Sequence, residues 1–180
     1  MTIRVYLLRH GPAGLRSAWR GSDAERPLIK DGVRTVKQIG RALAAQGLEP
    51  DLILTSPYAR SEQTAAIVAK ALDRSDVMLI EKTLSPGFAI ADFTALLESH
   101  ADAGAIMLVG HEPDLSTLSA LLCGARLALQ KGGLIELELD RRHPNKAVLV
   151  RLEQPRHLIH EPPSTQVAAD ARPSQKAGRS

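Results

Sequence analysis

A run over residues 3–8, apolar except for Arg4, stops abruptly at Arg9-His10-Gly11, and no other feature constrains the fold of this chain as strongly. A run of that length suits one buried strand. A charged pair where such a strand ends would sit at the mouth of an α/β sheet, the place where that architecture holds its ligands. Taken alone, an Arg-His pair at a strand end is ordinarily a capped or solvated polar pair. In the functional alternative His10 attacks phosphorus through a ring nitrogen while Arg9 holds the anion, which requires further cations from distant segments.

Two other junctions supply them. Leu52-Ile53-Leu54 leads into Thr55-Ser56-Pro57-Tyr58-Ala59-Arg60. Ser56 is a good N-cap and Pro57 a good first helical residue, so the sequence predicts a helix over 57–72 with its free amides toward the sheet mouth and Arg60 on its first turn. The apolar stretch 105–109 leads into Gly110-His111-Glu112-Pro113, after which Leu115, Leu118, Leu121 and Leu122 recur at helical spacing over 114–122. Each junction is commonplace by itself. Three of them aiming an imidazole or guanidinium at one sheet edge point to a shared anion site.

With these residues the chain resembles the histidine phosphatase superfamily, the phosphoglycerate-mutase-like enzymes named for their Arg-His-Gly motif, and within it the SixA-type branch of phosphohistidine phosphatases. Arg9, His10, Gly11, Arg60 and His111 match that family's nucleophile and phosphate pocket. Supporting matches are Arg26-Pro27-Leu28 with Asp31-Gly32, Thr64-Ala65 after Arg60, Pro113 after His111, and a terminal Pro155-x-x-Leu158, so the likeness runs over residues 3–158. The resemblance implies that His10 is the nucleophile, that Arg9, Arg60, His111 and Gly11 bind the phosphoryl group, and that His111 is an electrophilic donor to its oxygens.

The chemistry also follows from charge. Two guanidiniums, an imidazole and helix N-termini stabilise the spread negative charge of a phosphoryl group in transfer. The same cations disfavour protonated His10 and keep it a nucleophile. Expelling an alkoxide calls for a positioned acid, whereas the imidazole of a phosphohistidine leaves readily. The segment 83–88, where mutase-like relatives place a Glu, has no acid, which leaves Glu81, Asp92 and Glu112 as possible donors, Glu112 being nearest a site residue in sequence. The leading reading is a metal-independent phosphatase working through phospho-His10 on protein phosphohistidine. A phosphomonoesterase for a small metabolite or phosphopeptide, and a phosphate-recognition module without turnover, are the alternatives.

Alternating strand and helix patterns over 52–55, 57–72, 77–80, 90–99, 105–109 and 114–122 predict an α/β three-layer sandwich with a mostly parallel sheet, like that of phosphoglycerate mutase. A helix capped by Asp31, with Val33, Val36, Ile39 and Leu43 on one face, precedes them. Ile135, Leu137 and Leu139 alternate with Glu136, Glu138 and Asp140, which predicts an antiparallel edge strand or hairpin with one wet face. One domain is expected over 1–160, followed by a flexible tail over 161–180 that is rich in Pro, Ala, Ser and charge. The chain has 180 residues, 23 Lys and Arg against 20 Asp and Glu, a net charge of +3, and few aromatic residues (Trp 1, Tyr 2, Phe 2), so no nucleic-acid partner is expected. No membrane span is present. His157 and His160 lack companion ligands and no cofactor is implied. With the N-terminal run too short for a signal peptide, a cytoplasmic location is expected.

Overall fold

The run that ends at the Arg-His pair becomes β1 (Thr2–Arg9), the strand on which the sheet is organised. It pairs in parallel with β4 (Ala105–Gly110) on one side and antiparallel with β5 (Leu134–Asp140) on the other. Beyond β4 lie β2 (Leu52–Thr55) and the short β3 (Met78–Ile80), both parallel, and beyond β5 lies antiparallel β6 (Val148–Glu153). The order is β3-β2-β4-β1-β5-β6. The computed structural model describes residues 2–159, so the expected tail over 161–180 lies outside the described residues.

Side chains of a strand alternate between faces, and β1 uses both. Ile3, Val5 and Leu7 enter a core with Phe93, Leu96 and Leu97 of α3 (Ile90–Ser99) and Leu115, Leu118 and Leu122 of α4 (Asp114–Cys123). Tyr6 and Leu8 enter the opposite core. There they meet Val36, Ile39 and Leu43 of α1 (Lys30–Ala45), Ala65 and Val68 of α2 (Ala59–Ala71) and Leu158 of α5 (Pro155–Leu158). Each buried Leu, Ile or Val stabilises the fold by roughly 1.5–3 kcal/mol, so the two apolar layers clamp the sheet between them. The predicted three-layer sandwich with an antiparallel hairpin at one edge is the observed architecture.

Register sets where the strands end. Arg9 stands opposite Gly110, and Thr55 stands opposite Val109, so three parallel strands stop level with one another. The amide of His10 donates to the Gly110 carbonyl at 3.1 Å and that of Ser56 to the Val109 carbonyl at 3.0 Å. Residues 10, 56 and 111 therefore emerge side by side.

Three local expectations change. Asp31 does not cap α1: the cap position is Ile29, whose amide donates to the Pro12 carbonyl, while Asp31 pairs with Arg34 at 3.1 Å. The second helix starts at Ala59 rather than residue 57, because Tyr58 is extended and Ser56 Oγ instead accepts the Tyr58 amide and faces His111. The face of β5 expected to be wet is partly covered, since Glu136 is only 6% exposed and holds Arg151 Nε at 2.6 Å. No helix among the described residues is long and apolar enough to cross a membrane.

Gly32 shows how tightly α1 leans on the loop after β1, since a Cβ there would stand 2.0 Å from the Pro12 carbonyl oxygen. Alanine normally stabilises a helix interior relative to glycine by roughly 0.5–1 kcal/mol. Here the close approach reverses the sign. Gly32→Ala is expected to cost about 2 kcal/mol, read as a lowered urea midpoint at unchanged m-value.

Candidate active site

His10 leaves the end of β1 into the sheet mouth and is 6% exposed; Arg60 and His111 are 4% and 3% exposed. The Gly11 carbonyl lies 2.8 Å from His10 Nδ1. A carbonyl can only accept, so Nδ1 carries the proton and Nε2 carries the lone pair. Arg60 Nε donates to that lone pair at 3.2 Å. A single backbone oxygen thus selects the nitrogen able to attack.

His111 lies beside it, with ring centroids 5.3 Å apart. Its Nδ1 is 3.4 Å from Arg60 Nη2, a pure donor, which places the His111 lone pair on Nδ1. Nε2–H then donates to Ser56 Oγ at 2.8 Å, with Ser61 Oγ at 3.4 Å. To donate through Nδ1 to an oxyanion, His111 must take up a second proton while Ser56 keeps the first. Tyr58 stacks edge-on against the ring at 5.0 Å and lies under the Arg60 guanidinium at 4.8 Å.

Thr64 ties this cluster to the chain that carries the nucleophile. Its hydroxyl donates to the Arg60 carbonyl at 2.7 Å and accepts the Gly11 amide at 3.0 Å, which gives a Thr at this position a physical role. Arg9 donates through Nη1 to the carbonyl of Leu129, in the segment between α4 and β5, at 2.7 Å. Its Nε is buried without an acceptor among the described residues. Orphaned buried donors are rare and costly, and one beside His10 marks where an oxyanion would be stabilised.

The sequence reading missed Asp23. The loop over 12–30 folds across the mouth through two 3₁₀ turns, and Asp23 meets Arg60 twice, through its carbonyl oxygen to Nη1 at 2.8 Å and its Oδ2 to Nη2 at 3.1 Å. Asp23 Oδ1 also accepts Arg26 Nε at 2.8 Å. The hydrogen bond from Arg26, then the charge of Arg60, hold its carboxyl below the ordinary carboxylate range. Asp23 is therefore an anion resting on the guanidinium edge that a phosphoryl group would use. The signal available was Asp23 three residues before the matched Arg26-Pro27-Leu28, and only the folded loop shows its target.

Of the carboxylates considered as proton donors, Glu81 caps the turn at Thr83 and Asp92 accepts the Ala89 amide, so both serve local backbone. Glu112 differs. Ser116 donates to its Oε2, its Oε1 is buried without a partner among the described residues, and its charge acts on Arg9. Among the described residues no group of three or more His, Cys, Asp or Glu is arranged to hold a metal ion.

A family model for the histidine phosphatase superfamily (branch 1) matches residues 5–85. The chain is 34% identical over 141 residues to an uncharacterized protein of Picosynechococcus sp., spanning 75% of this chain and 84% of that one. It is 29% identical over 123 residues to the phosphohistidine phosphatase SixA of Escherichia coli, spanning 67% of this chain and 74% of that one. A solved structure of the protein histidine phosphatase SixA complexed with tungstate superposes with a TM-score of 0.77 at 24% identity, covering 87% of this chain and 99% of that chain, and so shares the fold.

Burial, then the charges of His111, Arg60 and Arg9, push His10 down to about 3; burial, then Arg60, push His111 down to about 4. An unfolded chain protonates both near the ordinary value of about 6.5, so stability is intact above that pH and is lost as pH falls from there toward 4. Replacing His10 with Gln should flatten that decline by about 1.4 kcal/mol per pH unit, measured by urea unfolding at pH 7.5, 6 and 5. For Asp23→Asn, removing the resident anion from Arg60 should tighten inhibition by orthovanadate about threefold or more; an unchanged or raised inhibition constant would show that Asp23 chiefly orients Arg60.

Proposed function

Because the chain belongs to the histidine phosphatase superfamily, we propose that it is a metal-independent phosphatase that works through a phospho-His10 intermediate and acts on protein phosphohistidine. The observation that carries this reading is the state of His10, buried and neutral, with its Nε2 lone pair turned into a cationic pocket rather than tied to backbone.

In the first step Nε2 attacks phosphorus while the bond to the leaving imidazole breaks, and the departing nitrogen keeps the bonding pair and takes a proton from solvent water. Arg9 and Arg60 stabilise the equatorial oxygens as charge spreads over them, and His111 joins them when the negative charge of the bound phosphoryl group draws a second proton onto its Nδ1. The Gly11 carbonyl balances the positive charge that the His10 ring acquires. In the second step water attacks phosphorus, the P–Nε2 bond breaks, inorganic phosphate leaves, and the lone pair returns to His10. The anion displaces Asp23 from the Nη edge of Arg60, so occupancy of the pocket is coupled to the loop over 12–30.

A leaving imidazole needs no strong acid, and that matches a site in which the carboxylate bonded to Arg60, Asp23, is held ionised by Arg26 and Arg60. Glu112 supports the second reading, hydrolysis of a small phosphate ester, because its buried Oε1 adjoins the pocket through Arg9.

Exposure to a ³²P-labelled phosphohistidine substrate should leave acid-labile label on the wild type and none on His10→Ala. His111→Ala should fold with an unchanged thermal midpoint and lose about 10²–10³ in kcat. Comparing kcat/KM for phosphohistidine with a panel of sugar and nucleotide phosphates decides the substrate class. Preference for a P–O ester, abolished by Glu112→Gln, would replace the phosphohistidine reading with the ester one.

A further inference from the structure

The 23 basic residues look dispersed along the sequence, yet four of them share one side of α1. Lys30, Arg34, Lys37 and Arg41 are spaced four, three and four residues apart, and at 100° per residue they fall within an arc of about 60°, in a line about 16 Å long. All four are exposed. Lys70 of α2 joins the far end, where it and Ile67 line a 530 Å³ hollow with Lys37 and Arg41. Nearer the site, Lys30, Arg34, Lys37 and Arg41 line a second hollow of 470 Å³. None of the residues lining either hollow is acidic, and Asp31, paired with Arg34, offsets only one of five charges. The stripe thus holds more positive charge than the net +3 of the whole chain.

Its position relates it to the pocket. Lys30 follows Ile29, whose amide is anchored on the Pro12 carbonyl, two residues beyond His10. Ile29 and Leu28 also border an apolar hollow with Leu15 and Trp19 on the loop that carries Asp23. The stripe therefore begins at the rim of the site and leads away from it. Nothing in the mechanism at His10 uses it.

We propose that the basic face of α1, extended by Lys70, is the docking surface for an acidic face of the phosphorylated protein substrate, holding the partner so that its phosphohistidine reaches His10. This rests on the phosphohistidine reading and adds the partner's charge to it. A protein partner fits better than the other polyanions. The hollows contain no aromatic side chain for base stacking, and their apolar residues are Val33, Ala44, Ile67 and Ala71, with nothing large and exposed to enter a lipid surface. Complementary charge of this kind raises the encounter rate and is screened by salt.

The test uses two synthetic peptides of equal length, each carrying one chemically phosphorylated histidine, flanked in one by Glu and in the other by Gln. The wild type should show kcat/KM about tenfold higher on the Glu-flanked peptide, a preference erased by 0.5 M NaCl and in the variant Arg34→Gln, Lys37→Gln, Arg41→Gln. Turnover of p-nitrophenyl phosphate by that variant should stay within about twofold of wild type, which reports an intact fold and pocket. If it does not, Lys37→Glu alone takes the place of the triple variant. Equal kcat/KM for the two peptides in the wild type overturns the proposal. So does stripe-dependent binding of phosphatidylserine vesicles or duplex DNA with no effect on the acidic peptide. If neither peptide is hydrolysed, the phosphohistidine reading fails by itself, and fluorescence anisotropy of the unphosphorylated Glu peptide still decides docking: loss of binding in the variant supports it, and no binding to wild type overturns it.

Discussion

Everything in this molecule depends on the shared level at which β1, β2 and β4 stop. Pairing of Arg9 with Gly110 and of Thr55 with Val109 fixes three loops to within a few ångströms. A slip of one residue in either pairing would turn an entire strand's side chains to the wrong layer, so two apolar cores enforce the alignment. The stability of the cores and the geometry of the site are consequently the same quantity. His10 and His111 need no contact of their own to meet, because the sheet has already placed them.

What gathers there is electrostatically awkward. Two imidazoles and the guanidinium of Arg60 are buried together, and burial opposes charge on each of them. The chain resolves this with fixed acceptors: the Gly11 carbonyl for one histidine, Ser56 for the other, and Asp23 for Arg60. The two histidine acceptors also do chemical sorting, since each decides which ring nitrogen is protonated and which is free. Arg9 Nε keeps an unmet demand for an acceptor among the described residues. A site preorganised in this way stabilises a tetrahedral oxyanion with little rearrangement of its own beyond the release of Asp23.

Much of this was legible in sequence because the informative residues sit where apolar runs end. Runs of three to six largely apolar residues leading into Arg-His-Gly, Ser-Pro or Gly-His identify parallel strands and place their ends, and the alternation over 134–140 identifies the antiparallel partner. Asp23 was not legible, because its meaning lies in a loop whose path is set by a bridge between Ala13 and Leu28 and by Gln63 accepting the Leu28 amide. Nor was the cap of α1, where a backbone contact to Pro12 outweighed the side-chain preference of Asp31. Glu136 reads as a wet residue by alternation, and only the neighbouring strand reveals Arg151 across from it. The basic side of α1 is invisible as a run and plain once 3.6 residues per turn is applied.

One detail of the loop over 12–30 has a practical side. The chain's only tryptophan, Trp19, lies in that loop with its indole Nε1 on the Ser22 carbonyl at 2.8 Å, directly before Asp23. An anion that took the place of Asp23 on Arg60 would release the residue next to the indole's own acceptor, Ser22. Trp19 therefore stands where intrinsic emission would report pocket filling with no label attached.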